Sequence, residues 1–529
     1  MRRLMTRDVD IAIVGSGFSG SLLAMIARRL GRSVVLLERG HHPRFAIGES
    51  STPLASLLLE EMARRYDLPR LIPLGKYGSW RRAYPDVGCG LKRGFSFFRH
   101  EAGSPFAADA AHGNQLLVAA SPRDDIGDVH WYRPDLDHFL VREAVTLGAE
   151  YIDGVELTSF STGAAGAHLE ADGLSVRARL VVDASGPRGF LHRQLGLGER
   201  ALPGLPATQT LFTHFTGVRR FADVVPNAFD GGPPYAPDDA AVHHVFDGGW
   251  IWVLRFDNGI TSAGIAATEP LARELRLPEG AAAWSRLMAR FPSIGVQFAD
   301  ATPTRDFTWW PRLSFFSDTI AGDGWVALPS AAGIVDPLLS TGFLLTLLGV
   351  QRVAQAIAED WGSPRLRERL QAYAARTAGE LETTSRLVGA LYDAFGDWHR
   401  FTSLTFLYFA AASFAESARR LGNTALSGDG FLLDGHPAFG PALRHCLELA
   451  AGTGRHPEPV RRAALLDAIA QAIEPVNVAG LARADRHNWY PAEAGDLFAG
   501  ADKLGASESQ VQAMLERCGF TVRAAAAGP

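Results

Sequence analysis

The stretch Val9–Gly20, VDIAIVGSGFSG, constrains the fold of this chain more than any other. The apolar run Ile11, Ala12, Ile13, Val14 breaks at Gly15. Gly17 and Gly20 follow at G-x-G-x-x-G spacing, and SLLAMIARRLG then has helical periodicity. Strand, glycine turn and helix, in that order, are what a dinucleotide site needs. The first glycine permits the tight turn, the second lets a pyrophosphate approach the backbone, and the third lets helix and strand pack closely. Phosphate then sits at the helix N-terminus, where free N–H groups and the macrodipole favour an anion. A second apolar run, SVVLL, ends at Glu38, 18 residues beyond Gly20, where a carboxylate accepts ribose hydroxyls. An ordinary glycine turn in a βα unit would share the spacing but has no need of that acid. The reading is a bound dinucleotide.

A length of 529 residues is too great for one core and predicts two or three subdomains. With 47% apolar and 21% charged residues the chain is ordinary globular, neither disordered nor a coiled coil. A net charge of −5 without a long basic run argues against a nucleic-acid partner. Cys89, Cys446 and Cys518 show neither metal spacing nor a disulfide framework, which suits a reducing cytosol, and no metal is expected. MRRLMTRD lacks the apolar run of a signal peptide. LTFLYFAAASFA, within 404–415, is too short to span a bilayer and reads as a buried helix rather than one lying on a membrane. The expectation is a cytoplasmic protein without a transmembrane segment. Of 52 basic residues only Lys76, Lys92 and Lys503 are lysines. Only the amine readily loses its proton and acts as a nucleophile, so in so arginine-biased a chain each lysine is a candidate.

RGHHPRFAIGESSTP (39–53) is a loop marked by Pro43, Gly48 and Pro53, and Ser50, Ser51 and Thr52 offer N-caps to the helix that follows. A loop leaving the second strand lies beside the cofactor, so 39–53 is a candidate channel wall. Lys92 heads the strand-like GFSFF. It stands either at the mouth of an apolar pocket, where burial lowers its pKa, or as a lysine snorkelling from a strand end. Residues 130–153 predict a helix then a strand, and LVVDASGPRG (180–189) a strand entering a turn at Asp183. TQTLFTHFTGV, AAVHHVF, WIWVLRF and ITSAGIAA alternate and predict a separate antiparallel sheet over the substrate. The adjacent histidines of VHHVF face opposite sides, which makes no metal site. WVALPSAAGIVDPLLSTG (325–342) returns to the first fold, bringing Asp336 and Pro337 ahead of a helix whose first N–H groups face the cofactor. From about 366 the pattern is helical. The terminal AAAAGP reads as disordered.

GSGFSG, HPRFAIGESSTP, WYRPDLDHFL, VVDASGPR, HHVFDGGWIWV, ARFPSIGVQF, TRDF and IVDPLLSTG appear in that order, and together they resemble the flavin-dependent halogenases, especially the branch acting on phenols and phenylpyrroles. The likeness runs over roughly 8–360. It implies an α/β fold of the FAD-dependent monooxygenase type (glutathione-reductase-like Rossmann), with a substrate-covering antiparallel sheet and a C-terminal helical region. The implied division is a split FAD-binding domain at 1–200 and 300–365, with 60–125 contributing to the substrate side, a cover sheet at 201–299 and helices at 366–529. The resemblance also implies FAD, reduced in trans by a separate flavin reductase, and a chloride or bromide ion. The hypohalous acid they yield travels to a lysine beside an electron-rich aromatic substrate, free or carrier-bound, and Lys92 in GLKRGF falls at that position. Gly15, Gly17, Gly20, Glu38, Arg133, Asp183, Asp336, Ser340 and Gly342 are then expected at the cofactor. Glu49, Ser50, Trp250, Trp252, Arg255, Pro337 and Leu339 are expected along the substrate channel.

Two signatures depart from the family. Its tryptophan-x-tryptophan-x-isoleucine-proline is here Trp250-Ile251-Trp252-Val253-Leu254-Arg255, so Arg255 replaces proline and either binds an anion or pairs with Asp257. Its phenylalanine-x-x-proline-x-x-serine-x-glycine survives as Ile334, Pro337, Ser340 and Gly342. Leu339 stands where tryptophan halogenases carry a glutamate, which favours a phenol or pyrrole over free tryptophan. An aromatic hydroxylase and a prenyl-lipid reductase of the same superfamily are the alternative enzymes, the latter if 404–415 touches a membrane.

Overall fold

The computed structural model describes residues 5–163, 166–428 and 430–521, so the terminal AAAAGP lies outside the described residues. The first sheet forms around the strand Met5–Val14, whose Ile11–Val14 end is buried on both faces, as a central parallel strand requires. Val34–Leu37 pairs with one side of it and Leu174–Asp183 with the other. Trp325–Ala327 and Glu150–Ile152 extend the sheet, all four junctions being parallel. The helix Phe18–Arg29 packs between Arg133–Thr146 and Thr341–Asp360 against it. The strands expected near 150 and 180, and the return at 325, therefore meet in one nucleotide sheet.

The second sheet runs Thr302–Pro303, Thr208–Thr216, Thr261–Thr268, Gly249–Arg255, Ala241–Phe246, Gly94–Arg99, Gln115–Ala119, Trp489–Tyr490. Its four expected strands are antiparallel, but the sheet as a whole is not. Ala241–Phe246 pairs in parallel with Gly94–Arg99, and Trp489–Tyr490 in parallel with Gln115–Ala119. Those partners arrive through long crossovers rather than hairpins, and a crossover permits parallel pairing. Alternation sorts the faces. Ile251, Val253, Leu211 and Val242 join an apolar cluster with Trp284 and Phe298 on one side, while Trp250, Trp252, Phe212 and His243 face a cavity on the other.

The C-terminal region is mainly helical, led by Arg365–Ala394 and Trp398–Arg420. Stretch 404–415 lies inside Trp398–Arg420 with Leu404, Leu407, Ala410 and Phe414 buried, so it offers no face to a membrane. Among the described residues, one segment is long and apolar enough to cross a bilayer, Leu338–Asp360, of mean hydropathy 1.3, with 72% of its most apolar window buried in the protein. It is the core helix beside the nucleotide sheet.

Candidate active site

The glycine turn behaves as its spacing requires. Gly15 has φ +99°, and a Cβ there would lie 2.5 Å from the Ala184 carbonyl oxygen; a Cβ on Gly20 would lie 2.0 Å from the Gly15 oxygen. Gly17 caps Phe18–Arg29 and opens onto a cavity. At the end of the second strand, Glu38 accepts hydrogen bonds from Ser16 N at 3.0 Å and Oγ at 2.8 Å, Gly40 N at 3.0 Å and Arg44 Nη2 at 3.1 Å. Burial opposes its charge, but Arg44 and the backbone N–H groups of Gly40 and Ser16 outweigh it and hold the carboxyl at about 2. Arg44, which sequence reasoning left anonymous in its loop, thus belongs to the site. Arg133 grips Asp137 through two 2.8 Å bonds and donates to the carbonyls of Ile47 (3.1 Å) and Gly48 (2.9 Å), pinning the channel loop over the nucleotide helix.

The cavity, of about 390 Å³, extends from Gly17 and Arg133 to Trp250 and Trp252. Its far end is the start of Thr341–Asp360, where Leu339 (φ +67°) and Ser340 (φ +56°) are consecutive non-glycine residues in the left-handed region. Such strain persists only where surroundings impose it, and it gathers at functional sites. Pro337, Ser340, Thr341 and Gly342 line the cavity, and a Cβ on Gly342 would touch nothing within 4 Å, so the unpaired N–H groups of the helix start have room for a ligand. Asp336, also in the wall, accepts from Leu338 N and the Tyr392 hydroxyl, both at 2.9 Å, and burial pushes it up to about 6. Glu49 pairs with His214 at 2.7 Å through Oε1, while its buried Oε2 has no partner among the described residues. Glycine cradle, ionised Glu38, apolar walls and bare polar groups together fit an FAD.

Three expected residues stand elsewhere. Asp183 spends its carboxylate on Ser185 N, Ser185 Oγ and Leu191 N, so it fixes the turn while the backbone of 184–186 lines the cavity. Leu339 is buried and does not line the cavity. Arg255 follows the strand alternation onto the face opposite Trp252 and Leu254 and donates to the Val218 carbonyl at 2.9 Å. Asp257 pairs with Arg81 instead, at 2.7 Å, so the expected Arg255–Asp257 pair does not form.

Lys92 ends the strand Cys89–Lys92, paired antiparallel with Asp128–Trp131. Its Nζ donates to Ser50 Oγ at 2.9 Å and to the Ser51 carbonyl at 2.5 Å, and lies 3.9 Å from the Phe95 ring centre. Ser50 Oγ, a wall atom of the first cavity, also accepts from Ser340 Oγ at 3.0 Å, so hydrogen bonds run from the helix start to the amine. Among the described residues Lys92 is the one fully buried lysine; Lys76 donates to the Cys518 carbonyl and Lys503 to Glu474. Burial pushes the Lys92 amine down, with Asp128 opposing. Burial, and after it Lys92, hold the neighbouring His130 and His243 at about 3, neutral. Lys92 lines neither cavity itself, but its neighbours Phe95 and Asp128 wall a second one of about 180 Å³, together with Tyr408 and Phe409. Sequence reasoning missed Asp128 and Tyr408, because the first meets Lys92 only through strand pairing and the second only through tertiary packing.

The family model for FAD dependent oxidoreductases matches residues 10–310, which places the site in that class. The chain is 30% identical over 406 residues to the monodechloroaminopyrrolnitrin halogenase PrnC of Pseudomonas fluorescens, covering 74% of this chain and 68% of that protein. It is 33% identical over 352 residues to the tetracycline 7-halogenase of Kitasatospora aureofaciens, covering 64% and 61% respectively. Among solved structures, halogenase PltM in complex with phloroglucinol and FAD superposes with a TM-score of 0.81 at 25% identity, over 90% of this chain and 99% of that one. The chain belongs to the flavin-dependent halogenases.

Proposed function

We propose that this chain halogenates a small electron-rich aromatic ring, with Lys92 as the residue that hands halogen to it. Bound FAD, reduced in trans by a flavin reductase, would supply hypohalous acid from oxygen and chloride or bromide. Glu38, the 15–20 turn, Arg133 and the 336–342 helix start would hold it. Trp250 and Trp252 wall the first cavity and keep the substrate away from the flavin. The observation that carries the reading is the place of Lys92, fully buried, hydrogen-bonded to Ser50 in the wall of the first cavity and packed on Phe95 in the wall of the second. A desolvated amine holds hypohalous acid by a hydrogen bond and turns its halogen towards the ring; arginine would stay charged there.

The second cavity is the substrate site in this reading, and its small volume suits a single ring. Cys518 and Phe520 form part of its wall, and a carrier-bound pyrrole stands in the name of a brominase relative from Pseudoalteromonas luteoviolacea. Three unpaired thiols suit a reducing cytosol. The test incubates the purified chain with FAD, NADH, a flavin reductase, bromide and a panel of phenols and pyrroles. The expected result is the bromine isotope doublet in the product. Oxygenated product alone, or peroxide alone, overturns the reading.

A further inference from the structure

The wall of the second cavity mixes apolar side chains with polar and charged ones, and three of its buried polar atoms lack a partner. Asp128 Oδ2, Tyr408 Oη and Ser121 Oγ belong to wall residues, are buried and make no hydrogen bond among the described residues. Buried polar atoms are nearly always satisfied, so an orphan facing a cavity calls for a ligand group. Asp128 is the most telling of the three. Its Oδ1 is fixed by a 2.6 Å bond from Ser56 Oγ, and Asp128 itself is the cross-strand partner of Lys92. One carboxylate oxygen is thus anchored and the other left without a partner, on the strand paired with that of Lys92.

We propose that Asp128 is a second catalytic residue, and that the ring it serves carries a hydroxyl group whose proton its Oδ2 takes. This rests on the halogenase reading above. A hydroxyl fits the orphans better than a pyrrole N–H, because it gives a hydrogen to Asp128 and also offers an oxygen to the Tyr408 hydroxyl, whereas N–H only donates. Leu339 is no carboxylate, and Asp128 supplies one from a separate strand.

The phenol O–H proton passes to Asp128, leaving a phenolate. The ring carbon beside that oxygen bonds to the halogen of hypohalous acid held at Lys92, the O–halogen bond breaks, and hydroxide leaves. Hydroxide removes the C–H proton of that carbon as water and restores the aromatic ring. Asp128 then returns its proton to the phenolate oxygen. Burial holds the Asp128 carboxyl above its ordinary range, with Lys92 and the Ser56 hydroxyl opposing, which brings a carboxylate closer to the proton it must take.

The test uses the FAD-loaded enzyme with bromide, a reductase and either resorcinol or 1,3-dimethoxybenzene. Asp128→Asn keeps an oxygen for Ser56 but loses the basic one. Resorcinol bromination is expected to fall by about 100-fold, the usual size of a general-base contribution, while FAD content and the rate of reduced-FAD oxidation stay at the wild-type level. Wild type is expected to brominate resorcinol and leave the dimethyl ether at least about 100-fold slower for the same reason. Wild-type activity in D128N, or equal rates on ether and phenol, overturns the proposal while leaving the halogenase reading intact. A wild-type enzyme that brominates no arene at all overturns both. Should D128N not load FAD, the ether comparison on wild type decides alone.

Discussion

The two cavities whose walls touch Lys92 through Ser50 and Phe95 are built by different means. The first is shaped at its cofactor end by backbone: a left-handed Gly15, the Gly20 contact, the strained Leu339–Ser340 pair and the N-termini of two helices. The second is shaped by side chains from distant parts of the chain, Phe95, Asp128, Tyr408 and Phe520 among them. A backbone-built cavity suits a ligand that never changes. One built from side chains can be re-cut for a new substrate without disturbing the cofactor. Variants in the first should therefore act on FAD and on stability, and variants at the junction on product alone.

The largest expected effect is at the turn. Gly20→Val puts its Cβ 2.0 Å from the Gly15 oxygen, so the purified variant should carry no FAD by visible absorbance; full loading would break the comparison at its firmest point. The next concerns Asp336, a buried wall residue raised from 3.8 to about 6 by burial, with Leu338 N–H and Tyr392 O–H opposing. Between those values the folded chain keeps a proton that the unfolded chain has released. The group's stabilisation is therefore complete below about pH 4 and lost as pH rises through about 6, a change of about 3 kcal/mol. Wild-type Tm should fall across that window relative to Asp336→Asn, and parallel curves for the two would contradict the assignment. A smaller effect is expected at the junction. Ser50→Ala removes one hydrogen bond to Lys92 worth about 1 kcal/mol, so halogenation should drop roughly fivefold with FAD content unchanged. A loss of FAD instead would place Ser50 with the first cavity only.

The same contrast explains what could be read from the sequence. The nucleotide sheet was legible because its signals are local: Gly15, Gly17, Gly20 and Glu38 lie in one βα unit with its next strand, and each turned out where the spacing put it. The cover sheet was half legible. Alternation at 208–267 marks four strands, but nothing in the spacing shows that Gly94–Arg99 enters beside Ala241–Phe246 in parallel. Alternation also decides Arg255, one residue past the cavity-facing Leu254, and its partner Val218 is brought by a neighbouring segment. Lys92 stood out by scarcity and resemblance. Asp128 carried no local signal, because its meaning depends on a strand pairing 36 residues away in sequence.

The measurement that bears most directly on the account is the fate of the oxidant in Lys92→Met, which fills the same buried volume without an amine. With FAD, reductase, bromide and a phenol, the variant should bind FAD and consume reduced FAD as wild type does, release hypobromous acid that an added thiol or dye traps, and give no enzyme-dependent bromophenol. Brominated product at the wild-type rate from that variant would contradict the central claim, that an amine between the two cavities carries the halogen from one to the other.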